Sequence, residues 1–245
     1  MKILTLNTWQ ERGPWKERWE ITLQGLEKFQ PEIACFQELF NPDWAREVQK
    51  RARFPTLLFP KEICGLAVFS HYSARSWGAV ELPQSSLEEY SRFVLWAELV
   101  AGKSSIFLFN THLSWQLEDG ATREKQVEAI LRIMNEEVRG QEVILTGDLN
   151  APPDSPEIRQ LIREGKFRDL FVEKHPGEAG FSWNHRNPYV AGAEHKLPDR
   201  RIDFILTKGE GPLLKDLHSC DLVFAEPASQ GVWASDHFGV LAEFQ

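Results

Sequence analysis

Residues 145–157 read LTGDLNAPPDSPE. The apolar run Val143-Ile144-Leu145 stops at Gly147, and Asp148 and Asn150 follow before a pair of prolines. Further on, Ser155 is placed to cap a helix with Pro156 at its first position, and Ile158, Leu161 and Ile162 form the buried face of that helix. Capping accounts for Asp154 and Ser155. Asp148 and Asn150 lie too far upstream to share that role. In extended chain they are i and i+2, so both side chains leave the same face. Two readings stay open: an Asx turn, which needs only one of them, or a pair that holds a ligand.

Working outward, strand-like runs recur at 3–7, 33–37, 66–70, 93–100, 105–110, 143–146, 202–207 and 239–244. Trp15, Trp19, Leu23 and Leu26 share one helical face, with Pro31 just beyond. Val127, Ile130, Leu131, Met134 and Val138 form a second stripe, ended by Gly140 and capped at its start by Thr122. Strands outnumber helices and several connections are short, so the pattern predicts an α/β fold with mixed sheets. With no repeat, low-complexity tract or linker, residues 1–245 read as one domain.

Composition is that of a globular protein: 42% hydrophobic and 26% charged residues, with a net charge of −8 and no Lys/Arg block. This argues against a broad phosphate-binding stripe for duplex DNA. Cys35, Cys64 and Cys220 are scattered and form no Cys-x-x-Cys pair, which suggests reduced thiols and a cytoplasmic location. No segment approaches the roughly 18 apolar residues of a membrane span, and the chain opens on a strand rather than a secretory leader.

The polar ending of residues 143–148 is repeated at other strand ends. Asn7 closes KILTLN, Glu38 follows IACFQ, and His112 follows IFLFN. Asp203 interrupts RIDFIL, and Asp236-His237 precede the last apolar run. Each has an ordinary reading: a turn cap, a surface acid, a satisfied core histidine, an ion pair from Asp203 to Arg200 or Arg201, an N-cap at Asp236. Six such coincidences together are uneconomical.

The motifs LNTW, QE, THL, GDLN, RIDFIL and SDHFGV, in this order between residues 4 and 240, resemble the endonuclease/exonuclease/phosphatase superfamily of metal-dependent phosphoesterases. Each tetrapeptide is weak alone, whereas the ordered set is specific. The resemblance implies a four-layered α/β/β/α sandwich of two mixed sheets flanked by helices, with the site at one end. It further implies that Glu38 is the metal ligand, with Asn7 beside it and Asp236 in the same shell or one water away. Asp148 would deprotonate the attacking water, and Asn150 would offer amide donors to a phosphate oxygen. His112 and His237 would donate to non-bridging oxygens, with Asp203 orienting His237. Arg123 and Gln126 would brace the site loops.

Oxygen ligands without a cysteine cluster or His-x-x-x-His pair favour Mg²⁺ or Mn²⁺ over zinc. FSWNHRNP, residues 181–188, resembles a segment of the sphingomyelinase-like and tyrosyl-DNA-phosphodiesterase-like branches, which makes Asn184 and Asn187 candidate substrate contacts; a solvated loop is the alternative. Trp9, Trp115, Trp183 and Trp233 lie near site motifs, either lining a rim or filling core. The expected function is metal-dependent hydrolysis of a phosphodiester or phosphomonoester by in-line attack of water. The expected substrate is small or lipid-like rather than duplex nucleic acid. The alternatives are a DNA or RNA nuclease with the same metal centre and, ranked last, a non-catalytic binding domain of the same fold.

Overall fold

The computed structural model describes residues 1–60, 64–138, 142–193, 197–209, 211–228 and 231–245. In chain order the elements begin with β1 (Lys2–Asn7), α1 (Trp15–Phe29), β2 (Ile33–Gln37), α2 (Pro42–Arg51), β3 (Thr56–Leu58) and β4 (Ala67–Ser70). Next come β5 (Ser73–Glu81), β6 (Phe93–Ala101), β7 (Ser104–His112), a 3-10 turn at Leu117–Asp119, α3 (Gly120–Glu137) and β8 (Glu142–Asp148). The remainder is α4 (Pro156–Arg163), β9 (Arg168–Asp169), α5 (Leu170–Lys174), α6 (Pro188–Ala191), β10 (Asp203–Lys208), β11 (Leu217–Val223) and β12 (Gly239–Phe244).

The strands make two six-stranded sheets, ordered β11-β12-β1-β2-β4-β3 and β5-β6-β7-β8-β10-β9. Each has one parallel pair at its centre, β1 with β2 and β7 with β8. A parallel pair needs a crossover, and α1 and α3 supply it. Alternation along the strands sorts side chains into layers. Ile3, Ile33, Ile106, Leu108, Ile144 and Ile205 meet between the sheets. Leu4, Leu6, Ala34 and Phe36 face outward under α1 and α2; Phe107, Phe109, Val143 and Leu145 face outward under α3 and α4. The result is the expected α/β/β/α sandwich.

The same alternation decides where the polar strand ends point. Continuing the inner face of β1 from Ile3 leads through Thr5 to Asn7, and that of β8 from Ile144 through Thr146 to Asp148. In β7 the inner series is Ile106, Leu108, Asn110, His112. The apolar core between the sheets therefore gives way to a buried polar layer and then to the candidate site. In that layer the Gln37 amide donates to Asn110 Oδ1 at 2.7 Å and to Thr5 Oγ1 at 3.0 Å. Asn110 in turn donates to the carbonyls of Phe36 and Ala67 across the sheets. Replacing Asn110 by leucine strands these groups, and the expected loss is about 1–3 kcal/mol in urea unfolding. A loss under about 0.5 kcal/mol, the scale of a surface change, would refute this account of the layer.

One sequence expectation here needs correction. Asp119 precedes α3, so Thr122 lies inside the helix rather than capping it; its hydroxyl donates to Asp119 Oδ1 at 3.3 Å. The stripe on α3 is confirmed, with Val138 in extended conformation as its C-cap. The predicted stop at Gly140 lies outside the described residues. Helix α2 was not anticipated, although Asn41 caps it by accepting from the backbone of Asp43 and Trp44.

Candidate active site

Strand register brings the candidates together. In the second sheet Asp148 pairs with His112 on one side and Asp203 on the other. At the same end of the first sheet, Asn7 pairs with Gln37 and Glu38 follows directly. The carboxyl ends of both parallel pairs thus converge, the usual location for ligand sites in α/β sheets.

Asp148 is at the centre. Its Oδ2 accepts from Asn7 Nδ2 at 3.0 Å and lies 3.4 Å from His112 Nε2 and 3.7 Å from His237 Nε2. Its Oδ1 accepts from the Asn150 backbone at 3.0 Å. An Asx turn forms in the GDLN segment, and it uses one carboxylate oxygen while the other faces the cluster. Asn150 adopts φ 51 and donates its side-chain amide to the Leu113 carbonyl. Gly147 is required by close approach, because a Cβ there would sit 1.9 Å from the Thr111 carbonyl oxygen at φ +143.

His237 Nδ1 lies 2.9 Å from Asp203 Oδ2. Arg201 engages Asp169 at 2.8 and 3.0 Å, which excludes the simple ion-pair reading of Asp203 with that arginine. Burial would lower the His237 pKa, but Asp203, Asp148 and Asp236 together push it up to about 10. Burial, then Arg92 and His237, hold His112 well below the usual histidine value, so the contact of His112 with Asp148 is not an ion pair. Burial, reinforced by Asp203, pushes Asp148 up to about 7. These shifts favour a neutral His112 and a charged His237 beside a carboxyl group whose proton affinity is raised towards neutrality.

Asn7 also donates to Glu38 Oε1 at 3.3 Å, while its Oδ1 accepts from the Trp9 backbone. Asp236 is pushed up to about 6 by burial, with Glu38 adding to it. Two oxygen-donor carboxylates that repel one another suit a hard divalent cation. Asp148, Asp203 and His237 also place ligand atoms within 4.8 Å of one another. In this cluster His237 Nδ1 is already engaged by Asp203 Oδ2 at 2.9 Å, whereas Glu38 and Asp236 stand apart from that pair.

Buried arginines brace these parts. Arg18 donates to the carbonyls of Thr8, Trp9, Gln10, Arg12 and Ala234, tying the loop after Asn7 to the one before Asp236. Arg123 bonds Glu157 at 2.6 Å and the carbonyls of Ser114 and Gln116; Gln126 bonds Ser114 and Pro83. Asn184 and Asn187 are not brought to the cleft lining. Asn187 is fully buried, capping α6 through Tyr189 and donating to the Ser235 carbonyl at 2.7 Å, so it supports the turn before Asp236. The Asn184 side chain accepts from the Arg186 backbone.

These groups open onto a cleft of about 1500 Å³ whose lining includes Glu38, His112, Asp148, Asn150, Asp236 and His237. Trp9, Trp115, Trp183, Phe40 and Tyr189 contribute aromatic walls, and Trp9 stacks on Tyr189 at 4.7 Å. Trp233 is instead buried against Phe238. Arg92 and Arg200 also line the cleft, and sequence reading had not singled them out as site residues.

The chain belongs to the Endonuclease/Exonuclease/phosphatase family, whose family model matches residues 4–237. Members of this family are phosphoesterases, typically dependent on a divalent metal. Among solved structures the fold is similar to that of TDP2 from D. rerio complexed with single strand DNA product, with TM-score 0.82 and 18% identity, covering 100% of this chain and 98% of that one. Beta toxin from Staphylococcus aureus is similar at TM-score 0.78 and 14% identity, covering 100% of both chains. A functionally unknown conserved protein from Enterococcus faecalis V583 gives TM-score 0.74 at 20% identity, covering 100% of this chain and 99% of that one. No curated protein matches the chain. Among the described residues, no helix is long and apolar enough to cross a membrane.

Proposed function

We propose that the protein is a Mg²⁺- or Mn²⁺-dependent hydrolase, acting as one catalytic domain in the cytoplasm, that cleaves a phosphodiester or phosphomonoester. The observation that carries this reading is the buried Asp148 carboxylate, with Asn7, His112 and His237 all within 3.7 Å of its Oδ2. A cation held by Glu38 and Asp236, with Asn7 beside them donating to Glu38, would polarise a phosphoryl oxygen and offset charge on the leaving oxygen.

The chain's own residues do the rest. Asp148 takes a proton from water, whose oxygen then attacks phosphorus in line with the departing oxygen. Its raised proton affinity suits a base working near neutrality. His237, held by Asp203, and His112 donate to the non-bridging oxygens as charge accumulates there. Asn150 retains one amide hydrogen, beyond its bond to Leu113, for the phosphate.

A cleft of about 1500 Å³ with aromatic walls is far larger than a phosphate group and fits an ester with a sizeable apolar or planar substituent. A small-molecule or lipid-like phosphoester remains the preferred substrate class. A single-stranded nucleic acid is the second reading, because aromatic walls also stack bases and the similar TDP2 structure holds single strand DNA product. The first test is turnover of bis-p-nitrophenyl phosphate and p-nitrophenyl phosphate with Mg²⁺ and with EDTA. Metal-dependent release of nitrophenol is expected, followed by a screen of lipid and oligonucleotide substrates. No hydrolysis of any of them would end the proposal.

A further inference from the structure

Arg200 stands beside this cluster, and its bonding differs from that of the other buried arginines. It lies in the isolated bridge to Trp183, each backbone N–H donating to the other's carbonyl at 2.9 Å. Its guanidinium carbon is 5.2 Å from the Trp183 ring centroid. The residue is 7% exposed and lines the cleft. Its Nε and Nη1 have no hydrogen-bond partner among the described residues. Arg18, Arg123 and Arg201 are equally secluded, yet each is bonded to carbonyls or a carboxylate. An arginine kept only for architecture would be bonded like these three, because burying a cation without partners is costly.

The setting indicates what the group awaits. Trp183 is bridged to His237 as well as to Arg200, and Arg200 lines the same cleft as Asp148, the base that activates water. The attacked phosphorus must lie near that base. A planar guanidinium matches the spacing of phosphate oxygens, and stacking on Trp183 limits its orientations before substrate arrives.

We propose that Arg200 is a substrate-binding residue that donates to an oxygen of the scissile phosphate, an assignment that rests on the phosphoesterase reading of the site. The uncovered edge of the side chain meets the cleft, where a phosphate oxygen can be reached. Because the contact is to the phosphate and not to its substituent, it serves diesters and monoesters alike.

The test compares wild type with Arg200→Gln and Arg200→Lys on the two nitrophenyl esters, with inorganic phosphate as competitive inhibitor and as titrant in calorimetry. Removing a charged hydrogen bond predicts a fall in kcat/KM and a rise in the phosphate inhibition constant of roughly 10- to 100-fold for Arg200→Gln. The lysine variant, which keeps the charge, is expected to recover part of both. Thermal unfolding checks that the variants fold; if Arg200→Gln does not, Arg200→Lys decides the matter. An active wild type with unchanged phosphate inhibition in the folded variants overturns the role of Arg200 and leaves the phosphoesterase reading standing. An inactive wild type that binds phosphate through Arg200 has the opposite meaning: it overturns that reading and keeps the binding site. An inactive wild type that binds no phosphate overturns both.

Discussion

Asp148→Asn is expected to lower kcat by roughly 10²- to 10⁴-fold, the usual contribution of a positioned general base. Asparagine has the same shape and can still accept from the Asn150 backbone through its carbonyl oxygen, so the turn at residues 148–150 survives. The chemistry does not, because a carboxamide cannot take the proton from water. The substitution also sets an amide donor against Asn7 Nδ2, which in the wild type donates to Oδ2, so the midpoint of thermal unfolding should fall modestly while the protein still folds. Steady-state kinetics at saturating Mg²⁺ and a melting curve check both halves. Activity within threefold of wild type would remove Asp148 from the role of base, by the same general-base argument that sets roughly 10² as the minimum.

Glu38→Gln is expected to raise the Mg²⁺ concentration for half-maximal activity by at least about 10- to 100-fold, since altering even an outer partner of a metal ligand has effects of that size. The backbone at this position allows a second test of the proposed role. Glu38 has φ 57, left-handed for a residue with a Cβ, a conformation that costs on the order of 1–2 kcal/mol. Such strain persists where a side chain must be aimed. Glu38→Gly relieves it, so this variant should melt no lower than wild type while losing metal-dependent activity. A Mg²⁺ titration of both variants that overlays the wild-type curve would exclude Glu38 as a ligand.

Much of this arrangement was legible in the chain, for a reason that particular residues show. β1, β2 and β12 are buried on both faces or nearly so; the apolar runs matched β2 and β12 end for end and β1 all but Lys2. Because side chains alternate with period two, Asn7 and Asp148 inherit the direction of the core residues before them. β5 was missed because SARSWGAVE is largely exposed and carries no apolar alternation. β11 was missed for a similar reason, with Cys220 its only buried residue. The expectation for α3 failed at Thr122 because Asp119, three residues earlier, begins the helix and also accepts from Ser85. Arg200 and Arg201 are adjacent in sequence; only the fold shows that one is paired with Asp169 and the other faces the cleft. The proposed roles of Asn184 and Asn187 rested on a short local motif, and the side chains instead bond the backbone around them.

The sheet order has a consequence for how the molecule is made. All strands of the second sheet lie between residues 73 and 208, inside the sequence of the first, whose β1 must pair with β12 near the other end of the chain. A chain leaving the ribosome can complete the second sheet early, with His112, Asp148 and Asp203 in place. Asn7 and Glu38 lie on the paired strands β1 and β2, and β1 also pairs with β12, the strand that directly follows Asp236, His237 and Phe238. The proposed site is therefore split between the two sheets, and its first-sheet half sits on a pairing between the segments at residues 2–5 and 240–243.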